Sequence, residues 1–123
     1  MAQRLDHIDL RVRDLAAARP FYERLLPALG FTRPMPIEGW FQLESEGGSE
    51  FFGIQEDPQY RANATRIAFR AVSVAEVDDL ARLLVEIGAA NLEGPLFEAP
   101  GYYAVFFEDP SGNRLEIVHR TAE

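Results

Sequence analysis

Four positions carry side chains whose type and placement could do chemistry: His7, Arg66, Arg70 and Glu116. His7 lies in the alternating stretch Leu5 to Val12, where Ile8, Leu10 and Val12 take one face and His7, Asp9 and Arg11 the other. An imidazole in that company can exchange protons near neutral pH, or it can be a sheet histidine hydrogen-bonded to a neighbour. Arg66 and Arg70 share one side of a second alternating stretch, with Ala68 between them and Ile67 and Phe69 opposite. A guanidinium keeps its proton, so these positions offer fixed positive charge and a planar fork for an oxyanion. Glu116 stands among Leu115, Ile117 and Val118, and a carboxylate drawn into a core needs a partner; Arg66, His7 or a metal would each serve. His119 falls on the opposite face from Glu116. Trp40, Phe41, Phe52, Tyr102, Tyr103 and Phe106 can line an apolar pocket or simply fill a core. Neighbours in a strand point opposite ways, so at most one of Tyr102 and Tyr103 meets a ligand on a given face.

These groups must be positioned by short elements. Asp14 is placed to cap a helix over residues 15–29, with Leu15, Ala18, Phe21, Tyr22, Leu25, Leu26 and Leu29 as its apolar stripe and Gly30 as its stop. Pro20 requires regular helix to begin late, and Pro27 predicts a frayed last turn. Strands are expected over 31–33, 39–44 and 50–55, the last two joined at Glu46-Gly47-Gly48-Ser49. Residues 58–64, polar and unpatterned, read as a linker. After the strand of 66–72, Ser73-Val74-Ala75-Glu76 is a capping box opening a helix to about Ile87, with Val77, Leu80, Ala81, Leu84 and Ile87 on one side. Strands follow over 90–93, 102–108 and 114–119, the last two joined by Asp109-Pro110-Ser111-Gly112-Asn113. The loops over 34–39 and 92–101 have no pattern that fixes their course.

Strand, helix, three strands therefore occurs twice, over about 4–57 and 65–120, in one domain of 123 residues. Each βαβββ unit alone is too small to bury both of its faces. The early-strand His7, Asp14-Leu15 before a helix with Phe21-Tyr22, and the closing Asp109-Pro110-Ser111-Gly112-Asn113-Arg114-Leu115-Glu116 resemble the vicinal oxygen chelate superfamily of glyoxalases, bleomycin- and fosfomycin-resistance proteins and extradiol dioxygenases. The resemblance implies an α+β fold of two βαβββ modules whose curved mixed sheets enclose a cleft. It implies a divalent metal held at places that here are His7, a residue near Gly53 or Gln55, Arg66, and Glu116. Arg66 offers no lone pair and Gly53 no side chain, which leaves His7 and Glu116 as metal ligands if a metal binds. In the metal-free account, Arg66 does a cation's electrostatic work.

The function expected is that of a glyoxalase-like lyase or isomerase acting on a small oxygenated metabolite, with His7, Arg66 and Glu116 as catalytic residues. Arg11, Trp40, Phe52, Arg70 and Tyr103 are the expected ligand contacts. The alternative is a metal-free protein that binds a small molecule or drug, as bleomycin-resistance proteins do. An extradiol dioxygenase is disfavoured because Arg66 stands where its iron site expects histidine. The resemblance also implies a homodimer. Twenty acidic against twelve basic residues, a net charge of −8, argue against a nucleic-acid partner. With no cysteine there is neither a disulfide framework nor a thiolate zinc site. No run of about 18 apolar residues could span a membrane, and the N-terminal stretch from Met1 to Asp6 lacks a leader's apolar segment, so a cytoplasmic protein is expected.

Overall fold

The computed structural model describes residues 4–121; residues 1–3 of the stretch read for a leader lie outside them. The elements are β1 (His7–Val12), α1 (Leu15–Ala28), β2 (Phe31–Pro34), β3 (Trp40–Ser45) and β4 (Phe51–Glu56), then β5 (Arg66–Arg70), α2 (Val74–Glu86), β6 (Ala90–Ala99), β7 (Tyr102–Glu108) and β8 (Arg114–Arg120). They form two four-stranded sheets, ordered β1-β4-β3-β2 and β5-β8-β7-β6. In each, the first and last strands of the module run parallel and the other neighbours antiparallel. The fold is α+β, two βαβββ modules with mixed sheets. The chain divides into two compact units, one up to Tyr60 and the other from Arg61. Among the described residues no helix is long and apolar enough to cross a membrane.

In the first module the Asp14 side chain accepts from the amide of Ala17 at 3.1 Å, satisfying one of the donors that a helix start leaves unpaired. Contrary to the expected late start, α1 is helical from Leu15 and runs through both Pro20 and Pro27. Packing explains this: Phe21, Tyr22, Leu25 and Leu26 are at most 3% exposed. Each such side chain contributes roughly 1.5–3 kcal/mol, against ~3 kcal/mol for an interior proline. Their partners are the helix-facing residues of the sheet, with the Tyr22 ring 6.3 Å and the Phe31 ring 6.1 Å from that of Phe52.

In the second module Ser73 accepts from the Glu76 amide at 3.0 Å while the Glu76 carboxylate accepts from the amide of Val72 at 2.8 Å. The capping box thus closes one residue earlier than its usual reciprocal form. Val77, Leu80, Ala81 and Leu84 are buried in α2, which packs on β7 and β8. Val105, Phe107, Leu115 and Ile117 of those strands are at most 2% exposed. The strand β6 is longer than its expected 90–93 and takes in most of the segment read as a loop over 92–101. Three register shifts against β7, with positive φ at Asn91 and Gly94, break its alternation, so the period-2 signal is lost although the pairing continues.

Candidate functional site

Each sheet has a face against its helix and a distal face. The pairing register fixes which residues share the distal face. In the first sheet, three rungs across β1, β4 and β3 carry His7, Phe51 and Glu44, then Asp9, Gly53 and Gln42, then Arg11, Gln55 and Trp40. In the second, the rungs across β5, β8 and β7 carry Arg66, Arg114 and Glu108, then Ala68, Glu116 and Phe106, then Arg70, Val118 and Ala104.

Glu116 is 5% exposed. Its carboxylate accepts the hydroxyl proton of Tyr102, which lies on the same face four residues before Phe106. Ala104, between Tyr102 and Phe106 on that face, is too small to bar the phenol's reach along the strand. The hydrogen bond to Glu116 is the main reason the Tyr102 hydroxyl holds its proton above the ordinary tyrosine range, and burial adds to it. The turn that delivers Glu116 is built by its own motif. Asp109 accepts from the amides of Ser111 at 2.8 Å and Asn113 at 2.9 Å and from the Asn113 side chain at 2.9 Å. Gly112 supplies the positive φ of +85°. The carboxylate of Asp109 is therefore committed to the turn, and that of Glu116 is the one the motif presents.

Arg66 does not pair with Glu116. It sits opposite Arg114, one rung away, with its guanidinium carbon 4.8 Å above the Phe106 ring, and Phe106 is the register partner of Glu116. The expected alternative of an Arg66–Glu116 ion pair thus gives way to a phenol–carboxylate pair beside a cation on an aromatic face. Arg70 is exposed on the same face of β5.

His7, in the first module, stacks on Phe51 at 4.3 Å with ring planes 6° apart. Its Nδ1 is 2.8 Å from the Asp6 carboxylate and its Nε2 is 3.7 Å from that of Asp9. Arg11 holds its guanidinium carbon 5.5 Å above the Trp40 ring on the same distal face. Phe52 and Tyr103 lie elsewhere. Phe52 is 1% exposed in the helix-facing core, and its ring packs against Tyr22 and Phe31. Tyr103 faces α2, where its hydroxyl donates to Asp78 at 2.6 Å. That bond chiefly raises the pKa of Tyr103. Both residues have helix-facing parity, so their rings serve packing.

The residues that sequence reading passed over are Asp6, Gln42, Tyr102 as the partner of Glu116, and Arg114. Parity alone puts Arg114 on the Glu116 face, but the placement of Tyr102 there requires the register. Gln42 is 7% exposed and its amide nitrogen is buried without a hydrogen-bond partner among the described residues. A side chain at Gly53 would place its Cβ 2.8 Å from Gln42 Oε1 and 3.2 Å from Asp9 Oδ1. At Gly53 the volume of a side chain is therefore taken up by Gln42, while Gln55, the other residue read for that place, stands one rung away between Arg11 and Trp40. With a guanidinium at a third place, His7 and Glu116 are the imidazole and carboxylate donors among the four places implied for a metal, and Gln55 offers only a neutral amide oxygen. Among the described residues no group of three His, Cys, Asp or Glu side chains comes together to hold an ion. The donor set does not fit the metal centre that the resemblance implies.

Residues 4–117 match the family model of the Glyoxalase/Bleomycin resistance protein/Dioxygenase superfamily. The chain is 32% identical to the uncharacterized protein YqjT of Bacillus subtilis (strain 168), an alignment covering 93% of this chain and 97% of that one. Its fold matches a glyoxalase/bleomycin resistance protein from Albidiferax ferrireducens T118 with TM-score 0.79 at 25% identity, covering 94% and 98% of the two chains. It also matches the fosfomycin resistance protein FosX from Listeria monocytogenes with TM-score 0.73 at 20% identity, covering 100% and 95%. This chain belongs to the Glyoxalase/Bleomycin resistance protein/Dioxygenase superfamily.

Proposed function

We propose that this protein is a glyoxalase-like lyase or isomerase that moves a proton on a small oxygenated metabolite. The observation that carries the reading is Glu116: a buried carboxylate, held on one oxygen by the Tyr102 phenol, on a face that also presents a guanidinium. A carboxylate so placed can take a proton from a carbon next to a carbonyl. The negative charge that develops on the carbonyl oxygen needs a fixed positive partner, and Arg66, steadied over Phe106, supplies one. The Tyr102 hydroxyl orients Glu116 and keeps its own proton while doing so. His7, oriented by Asp6, is the proton-exchanging group assigned to the first module, where Arg11 and Trp40 are ligand contacts; Arg70 is a ligand contact on the second. A homodimer in the cytoplasm completes the proposal; the exposed Leu96 and Phe97 on the edge strand β6 support the dimer.

The test is to incubate the full chain with a panel of α-hydroxy aldehydes and ketones in deuterium oxide and follow wash-in of deuterium at the acidic carbon by NMR. Exchange that disappears in Glu116→Gln, with the melting temperature kept, supports the enzyme. Saturable retention of a panel member with no exchange in the unaltered protein would replace it with a sequestering function.

A further inference from the structure

We propose that Arg66 and Arg114 together form an oxyanion-binding site, so that the small molecule this protein takes carries a carboxylate or a phosphoryl group. The two arginines are register partners in the parallel pair of β5 and β8, side by side on the distal face. Like charges directly across a sheet destabilise it, and this chain has twenty acidic residues with which to neutralise either one. Yet among the described residues neither guanidinium makes a salt bridge. Glu108, the β7 partner of Arg114, instead accepts from the Asn91 side chain at 3.0 Å.

Both arginines line one hollow of about 450 Å³, together with Phe106, Asn91, Glu93 and Glu108. That volume suits a small metabolite. Phe106 holds the Arg66 guanidinium at 4.8 Å by its ring face, which leaves the N–H edges for a ligand. Two forks of this kind match the oxygens of a carboxylate or phosphoryl group and would offset the repulsion between the arginines. The two acidic residues in the lining favour an anion that is also a hydrogen-bond donor, such as a hydroxy acid or a singly protonated phosphate ester. Phe106 is both a wall of the hollow and the rung partner of Glu116. An anionic group held there would leave the rest of a short molecule near the carboxylate. The placement of the reacting end rests on the function proposed above; the anion site itself does not.

The experiment titrates the full chain with inorganic phosphate and, separately, with glycolate, following heat by calorimetry and the melting temperature. Saturable binding of at least one is expected, and the better ligand distinguishes phosphoryl from carboxylate recognition. Arg66→Gln and Arg114→Gln should each weaken it by about tenfold or more. Arg114→Lys, which keeps the charge but loses the fork, should weaken it measurably, and Arg82→Gln on α2, an equal change in net charge, by less than about twofold. Glu116→Gln should leave anion binding in place, so loss of deuterium exchange in that variant reports on the base alone. No saturable binding of either anion at about 10 mM, or an equal loss in Arg82→Gln, overturns the site.

Discussion

The middle rung of the first distal face reads Asp9, Gly53 and Gln42, and that of the second reads Ala68, Glu116 and Phe106. The two sheets have the same strand order and the same parallel closure, so these positions correspond one to one. In the first module the centre of the face is bare backbone and the polar groups lean in from the sides. In the second the centre is a carboxylate flanked by a methyl and a ring. On the rung beside it, His7 corresponds to Arg66 and Phe51 to Arg114, so one module sets an imidazole against an aromatic ring where the other sets two guanidiniums. A duplicated scaffold here carries two different sets of side chains. The second face has a carboxylate, a cation and a phenol in register; the first has an imidazole between two carboxylates.

If that division is right, deleting the centre of one face should cost far more activity than deleting the edge of the other. Glu116→Gln keeps the shape of the side chain and an acceptor for Tyr102 but cannot take up a proton. Turnover is expected to fall by at least about 100-fold, equivalent to about 2.7 kcal/mol of transition-state stabilisation. His7→Ala is expected to lower it by about tenfold, since a secondary proton exchange can be taken over by water. Steady-state kinetics on whichever substrate shows deuterium exchange decides it. Equal losses in the two variants would show that the modules share the chemistry evenly.

The bare centre of the first face can be challenged by filling it. Gly53→Ala puts a Cβ 2.8 Å from Gln42 Oε1 and 3.2 Å from Asp9 Oδ1. Overpacking of this order costs about 1–3 kcal/mol, read as a lower urea midpoint. Gln42→Ser in the same chain should recover most of the loss, because the 2.8 Å neighbour is then gone. A double variant no better than the single one would mean that Asp9 or the backbone, and not Gln42, sets the constraint.

Gln42 alone gives a gain. Its buried amide nitrogen has no partner among the described residues, and such a group forfeits hydration with nothing in return. Gln42→Met, close in length and without the amide, is expected to raise stability by about 1 kcal/mol in equilibrium urea unfolding. No equivalent gain is expected from Glu116→Met on the other face, where the polar group has Tyr102. A loss in Gln42→Met would show that the amide has a partner in solution.

What could be read from the letters follows from how local the cause is. The Ser73 cap, the Asp109 turn and the alternation of β1 and β5 are set by neighbours a few residues apart, and each stands where the pattern puts it. Parity within β8 puts Arg114 and Glu116 on one face and parity within β5 does the same for Arg66 and Arg70, but only the resemblance implied that these faces coincide. The longer β6 and the continuous α1 depend on distant packing, and local rules for Asn91, Gly94 and Pro20 point the wrong way. At the site, the Tyr102–Glu116 bond and the Arg66–Arg114 pairing needed the register between strands, which no spacing in the sequence supplies. For the same reason Phe52 and Tyr103 looked like ligand contacts: an aromatic strand residue advertises its size, while its face depends on which partner strand it meets.

The smallest expected effect concerns the phenols, and it separates the faces of the second sheet. Tyr102 donates to Glu116 on the distal face and Tyr103 to Asp78 on the helix face, and each hydroxyl has its pKa raised mainly by that bond. In the unfolded chain both titrate near ~10. Above that value the unfolded state releases protons that the folded state still holds, so rising pH favours unfolding. Their stabilising contribution is therefore complete below about pH 10 and is lost as pH climbs through the folded values. Urea midpoints between pH 8 and 11 should show this alkaline decline shallower in Tyr102→Phe. The decline should become shallower again when Tyr103→Phe is added, leaving the part that belongs to the buried Tyr22. If Tyr102→Phe leaves the alkaline limb untouched, the phenol does not hold Glu116 in solution, and the carboxylate at the centre of the second face must be held by something else.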